Sequence, residues 1–416
     1  MFRFKINKLQ IINFILLMIC IYIYLYNPIF KGIGFGLIKL LIIISILYLF
    51  YPGNFQFYKV FKKEIVLTFI LILYSLIISF HGENTWRIPY SHLIWFLECF
   101  FIPTFIILFF KNIFLKFSWE IIVVQIGFFA SLISFFLILN PNINQFVRSS
   151  IIMDTLDNSS LTDIIWDFRG FTIAEGASFA YGVVQGLILS ICLLLMLKNL
   201  KYFIPILFLF ISIIFNARTG LVPVFIFIII LLINKQIKLK QILLTMILIF
   251  VIGYIVRYSI FAQQNETSLI WALSIFTDTQ NFVKGNENSG NYSVLFNQFL
   301  FFPSDFLGLI FGKGVDVFGA GDRASDVGYV IQIFKGGILY LTLMLIFLWK
   351  LFIRNFKNAS NKFLPILFFI TIIIVNIKGN AFFLSSSFFR LFTFYYVYSI
   401  LTSEMNLLNS QTESKI

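Results

Sequence analysis

The chain has 416 residues, 60% of them hydrophobic and 12% charged, with 57 Phe. A soluble domain carries roughly a quarter of its residues as charges, so this composition excludes a water-soluble globule and points to long apolar runs solvated by lipid. The formal charge is +13, but Lys and Arg stand in short clusters between apolar runs, a pattern of membrane topology that argues against nucleic acid as a partner.

The first segment, Met1-Phe-Arg-Phe-Lys to Lys8 and then an apolar run to Tyr26, imitates a signal peptide. It lacks a small-residue cleavage site and reads as an uncleaved first helix. Apolar windows long enough to cross a bilayer follow, giving about twelve spans at about 9–26, 33–51, 64–80, 92–110, 119–139, 173–197, 201–216, 219–234, 241–261, 328–349, 362–377 and 384–402. The seventh and eighth are separated only by Asn216-Ala-Arg-Thr-Gly220, a tight turn whose charge would be costly inside one continuous helix. Cys20, Cys99 and Cys192 all fall inside apolar runs and say nothing of redox compartment.

Positive charge sets the orientation, because Lys and Arg near helix ends are retained in the cytoplasm. With the N-terminus inside, every inner segment is basic: Arg3, Lys5 and Lys8; Lys59, Lys62 and Lys63; Lys111 and Lys116; Lys198 and Lys201; Lys235, Lys238 and Lys240; Lys350, Arg354, Lys357 and Lys362; and Lys415. Both termini are therefore expected in the cytoplasm. The whole chain, 1–416, reads as one transmembrane domain of all-α class. Two outer loops are long, 140–172 and 262–327, and contain apolar stretches such as Ile151-Ile-Met153, Ile164-Ile-Trp166 and Leu269-Ile-Trp271. These stretches predict short helices in the interface, and loops of this length are where function is expected.

Charges near the outer helix ends are the best pointers to chemistry: Arg169, Glu175, Arg218, Arg257, Asp322, Arg323, Asp326, Lys335 and Arg390. Singly, Asp326 reads as a helix cap and each arginine as a lipid headgroup anchor. As a set, cations with two or three carboxylates suit an anionic ligand such as phosphate or pyrophosphate. Glu175 is expected within about one turn of the outer end of its helix. No metal or other cofactor is expected, since no Asp-rich or Cys/His spacing occurs and the two histidines, His81 and His92, which flank an outer loop and leave a ligand role open, read first as solvated interfacial groups. Gly312-Lys-Gly314 lacks the spacing of nucleotide loops and reads as a turn. Lys39 and Glu98, each about six residues below the outer end of its helix, are expected to form a buried structural pair.

The ordered set Arg169-Gly-Phe, Glu175-Gly-Ala-Ser-Phe179, Asn216-Ala-Arg-Thr-Gly-Leu221, Phe311-Gly-Lys-Gly314 and Ser325-Asp-Val-Gly-Tyr-Val330 with Gly336-Gly337 resembles the Wzy-type polymerases, which assemble O-antigen or capsule repeat units. The likeness covers topology throughout and motifs over about 165–225 and 305–340. It implies a GT-C-like helical bundle of the bacterial inner membrane with a large periplasmic loop between spans nine and ten. It also implies metal-independent transfer of a growing glycan from undecaprenyl diphosphate to a lipid-linked oligosaccharide repeat unit at the periplasmic face. The partners implied are that lipid-linked oligosaccharide, membrane lipid, a chain-length regulator and a flippase.

By the same likeness Arg169 and Arg218 bind diphosphate with Arg323 as a third, Asp326 or Glu175 handles the acceptor hydroxyl, and Tyr329 lines the sugar site. Arg257, Lys335 and Arg390 complete the outward cations that would hold substrate. Two departures stand out. Position 180 is Ala where an Arg-x10-Gly pattern from Arg169 would need Gly, and 262–327 lacks the histidine usual in O-antigen ligases. The alternatives are a ligase, which differs in acceptor, and a polysaccharide or lipid transporter with Lys39, Glu98, Glu175 and Arg390 as a charge pathway. A scaffold without catalysis is a third reading.

Overall fold

The computed structural model describes residues 8–33, 36–51, 57–80, 87–151, 170–175, 179–234, 298–315, 317, 325–382 and 386–413. Its elements are α1 (Lys8–Tyr26), α2 (Ile38–Phe50), α3 (Phe57–Ser79), α4 (Arg87–Phe96), α5 (Ile102–Phe109), α6 (Trp119–Leu139), α7 (Pro141–Ser150), α8 (Phe179–Met196), α9 (Phe203–Asn216), α10 (Leu221–Ile233), α11 (Phe306–Phe311), α12 (Gly328–Asn358), α13 (Phe363–Val375) and α14 (Ser387–Glu413). Among the described residues there is no β-strand, only the isolated bridges Ile29–Gly36 and Phe30–Ile151. The chain is all-helical there. Ile88–Phe109, Trp119–Leu139, Phe179–Met196 and Gly328–Asn358 are long and apolar enough to cross a membrane, and five further apolar helices are shorter. Each apolar window of the sequence holds a helix except the ninth, about 241–261, which lies outside the described residues.

The centre of the bundle is α14. From Phe388 to Val397 every residue is buried, as expected of a helix surrounded on all sides. It packs on α1, α5, α8, α12 and α13, while α8 packs on α6, α9 and α10. The outer helices bury one face and expose the other: Leu40, Ile43, Ile44 and Leu47 on α2, and Val66, Phe69, Ile70, Leu73 and Ile77 on α3, are open apolar stripes. Such stripes far exceed what a soluble monomer leaves to water. Tight helix approach uses small residues. A side chain at Gly186 would run into the Gly220 backbone, and one at Gly182 into Ala217, so the predicted turn at 216–220 is clamped against α8.

Two irregularities interrupt the helices. Between α4 and α5 the backbone forms a π-helical turn, Leu97–Phe101. Pro103 has no N–H for the Cys99 carbonyl four residues back, and the extra residue of a π turn accommodates the misfit. The second break lies inside α12, where Gly337 has φ 74° and ψ −176°, a region open essentially to glycine alone. The freed carbonyls of Phe334 and Lys335 accept the N–H groups of Lys313 at 2.8 Å and Gly314 at 3.2 Å. Gly312-Lys-Gly314 is thus the plug that fits the Gly336-Gly337 break, with Gly312 and Gly314 also at positive φ. The six-residue α11 stands beside it and exposes Phe306, Leu307 and Phe311.

In the other long loop the helix is α7, earlier than Ile151-Ile-Met153. Ile151 ends it in an extended conformation and pairs with Phe30. The stretches 164–166 and 269–271 lie outside the described residues.

Candidate functional site

Arg390 is 0% exposed. Its guanidinium donates from Nε to Glu98 Oε2 at 3.2 Å, from one terminal nitrogen to Glu175 Oε2 at 3.5 Å, and from the other to the Tyr24 carbonyl at 3.3 Å. Four distant segments therefore meet on one side chain: the end of α1, the π turn, the segment before α8 and the start of α14. Glu98 is 4% exposed, whereas the Glu175 side chain is 28% exposed and forms the open edge of the cluster.

Glu175 is held at both its backbone and its carboxylate. Its N–H donates to the Tyr26 carbonyl at 2.9 Å, and the Asn27 amide donates to its Oε2. Asn27 sits at φ 38°, a left-handed conformation that asparagine tolerates, and its Oδ1 accepts from the Ile38 N–H at 3.2 Å. Gly36 leaves room for this, since a side chain there would strike the Asn27 amide.

These facts revise three expectations. Glu175 itself stands in a turn, and α8 is described from Phe179. Glu98 pairs with Arg390, while Lys39 is exposed; the π turn aims the carboxylate at α14. Arg390 itself is enclosed by two carboxylates, which answer its charge inside the bundle. It fits a role of positioning Glu175 better than one of binding substrate.

A second polar group lies where α12 begins and α13 ends. The Tyr329 hydroxyl donates to the Ile373 carbonyl at 2.8 Å, and Gln332 Nε2 donates to Asn380 Oδ1 at 2.9 Å. Asn376 Oδ1 accepts from the Ala381 N–H at 2.8 Å, and its carbonyl accepts from Gly328 N–H at 3.0 Å. Asp326 is exposed between buried Ser325 and Val327. The Ser325 hydroxyl donates to the Phe299 carbonyl at 2.6 Å and accepts from Val327 N–H at 3.1 Å, so alternation along an extended segment turns Asp326 outward. The helix cap is Val327 rather than Asp326. Lys335 is half-buried beside the break in α12.

Arg218 opens the one-turn helix Arg218–Gly220, half-exposed. Packing links all these pieces at one end of the bundle. Gly182 faces Ala217, the Phe179 ring fills the space at Gly379, and Gly379 with Asn376 abuts Gly328. Phe179 also meets Phe388, 6.2 Å between ring centres, two residues before Arg390. The segments that carry Glu175, Arg218, Asp326, Tyr329 and Arg390 are thus linked by packing to the start of α8, and among these side chains Glu175 and Arg390 pair directly. Arg169, Arg257 and Arg323 lie outside the described residues, as does His81.

His92 was missed as a structural group. It is 2% exposed rather than solvated, with Nε2 2.6 Å from the Tyr340 hydroxyl. Its sequence neighbourhood carries one signal, the polar Ser91 and His92 directly before the apolar run Leu93–Phe96.

The class defined by fold and site is an all-helical bundle with helices able to cross a membrane and a carboxylate-rich charged cluster at one end. Compared with protein-family models, curated proteins and solved structures, the chain matches none.

Proposed function

We propose that the chain is a polytopic inner-membrane protein of about twelve spans that acts as a Wzy-type polysaccharide polymerase on its outer face. The single observation carrying this reading is the buried Arg390 that holds Glu175, in a segment packed through Phe179 and Gly182 against those that carry Arg218, Asp326 and Tyr329. That end is where α1, α9 and α13 finish and α8, α10, α12 and α14 start, as the alternation set by the basic inner loops requires.

In the proposed reaction Glu175, fixed by Arg390 and Asn27, takes the proton from an acceptor hydroxyl of the lipid-linked repeat unit. The hydroxyl oxygen attacks the anomeric carbon of the growing chain. The bond from that carbon to the diphosphate breaks, and undecaprenyl diphosphate leaves with its new charge met by Arg218. Asp326 and Tyr329 orient the acceptor sugar. In cells lacking the native protein, Glu175→Gln restored at wild-type abundance should yield only single capped repeats. Long polymer from that variant would reject the assignment.

One observation favours a transporter as the second reading: α12 is broken at Gly337, and broken helices mark substrate paths in transporters. Loss of all surface glycan together with accumulation of inward-facing lipid-linked repeats would decide for transport. Unpolymerised repeats on the outer face decide for the polymerase, and polymer left unattached decides for a ligase.

A further inference from the structure

A cavity of about 340 Å³ lies at the far end of α14 from Arg390. Arg390 and Thr402 are 12 residues apart, or about 18 Å along the helix, so the cavity is separate from the charged cluster. Its walls are Asn358 and Ser360 at the end of α12, and Tyr395, Tyr398, Ser399 and Thr402 on α14, with Ser403 beside them. The α14 residues recur at three- and four-residue spacing and so share one face.

The chemistry of the lining is unusual for this chain. In a protein that is 60% hydrophobic, a gap left by imperfect helix packing would be lined by Leu, Ile and Phe. Here every lining side chain is polar and uncharged. The Tyr395, Ser399 and Thr402 hydroxyls donate inside the protein and Asn358 donates to the Arg354 carbonyl, so these side chains offer acceptor oxygens that suit a ligand rich in hydroxyl donors, and the absence of charge from the lining does not suit an ion. The volume is at the low end for small-molecule sites. Tyr395 and Tyr398 add flat apolar faces, braced by Trp119 at 4.8 and 6.5 Å between ring centres.

Behind the lining the polar character continues. Asn355, 0% exposed, accepts the Ser399 hydroxyl on Oδ1 at 2.9 Å, and its Nδ2 has no partner among the described residues. The turn forming the cavity wall is fastened by Tyr395, whose hydroxyl donates to the Asn361 carbonyl at 3.2 Å, and by Lys362, whose ammonium caps the Lys357 carbonyl at 3.0 Å.

From these observations we infer a binding site for an uncharged polyhydroxyl group about the size of one sugar ring. It does not depend on the reading of the opposite end. The test uses the full-length protein in phosphatidylcholine nanodiscs, free of glycoside detergents, with glucose, N-acetylglucosamine and glycerol as probes in saturation-transfer NMR at millimolar concentration. Transfer to a probe in the wild type, with apparent affinity weakened about tenfold in Thr402→Val, is the expected result. Ser403→Ala, a smaller change, should weaken it in the same direction, and both variants are compared at unchanged melting temperature. Displacement by glucosyl-diacylglycerol assigns the site to a lipid headgroup; binding without displacement assigns it to a free compound. No transfer to any probe, or equal transfer in wild type and both variants, overturns the proposal.

Discussion

Arg390 is a cation inside a helix bundle, and removing it strands Glu98, which is almost as deeply buried. Breaking a buried pair by deleting one partner costs about 3–5 kcal/mol, because the remaining charge is left uncompensated. Arg390→Met should therefore lower the melting temperature sharply in detergent, and Glu98→Gln in the same chain should recover part of the loss. Lys39→Met, at an exposed position, should leave it within error of wild type. The charged residues themselves were legible in the sequence, but their pairing was not. Lys39 and Glu98 are close in sequence depth, whereas Arg390 and Glu98 are 292 residues apart and meet only because the π turn faces α14. A second prediction at this scale concerns Asp305, outside the spans. The Lys313 ammonium, 2.7 Å away, and the Gly308 N–H that it caps at 2.7 Å hold its carboxyl below the usual aspartate range. A depressed carboxylate contributes above its unfolded value and is lost as pH falls through the lower folded value. Acidification through that range should lower the protection factor of the Gly308 amide in the wild type, its exchange rate being referred to the intrinsic rate at each pH, and Asp305→Asn should remove most of that loss.

Among the elements, the apolar windows were readable because a bilayer demands unbroken apolar length, and the 216–220 turn because Arg218 interrupts two such runs. Where the windows misled, a local feature outweighed hydropathy. The sixth window starts at about 173, yet Glu175 is drawn to Tyr26 and Asn27 and stands in a turn rather than in the helix. The break in α12 was visible only as two adjacent glycines. Hydropathy runs straight through Gly336-Gly337, and only the partner loop shows why the carbonyls of Phe334 and Lys335 can be left open. Gly337→Ala should therefore do more than strain one residue. Its methyl group would meet the Ile310 carbonyl at positive φ, with a strain of about 1–3 kcal/mol. The expected outcome is release of the 312–314 plug, measured as faster exchange at the Lys313 and Gly314 amides. Gly336→Ala, which meets the Tyr340 and Ile78 side chains rather than the loop backbone, should disturb those amides less.

For the molecule as a whole, the reading depends on which helix ends share a face of the membrane, and this can be checked without knowing the substrate. The native cysteines are buried or partly buried, so they give a low background for a membrane-impermeant thiol reagent. Asn142→Cys, at the start of α7 and exposed, stands just beyond the end of α6. Lys357→Cys, in the last turn of α12 and exposed, stands at the basic end. If the cluster around Glu175 faces outward, intact cells should label the first and not the second, and inside-out vesicles should reverse the pattern. Labelling of both from one side would separate the two ends of the bundle from the alternation that the basic loops impose. Arg218 then provides the chemical counterpart. It occupies a turn fixed by Gly182 and Gly186 on α8, and its half-exposed side chain lies outside the tightest packing. On the proposed function, Arg218→Ala compared with wild type at matched protein abundance should shorten the polymer, because the departing diphosphate would lose a cation.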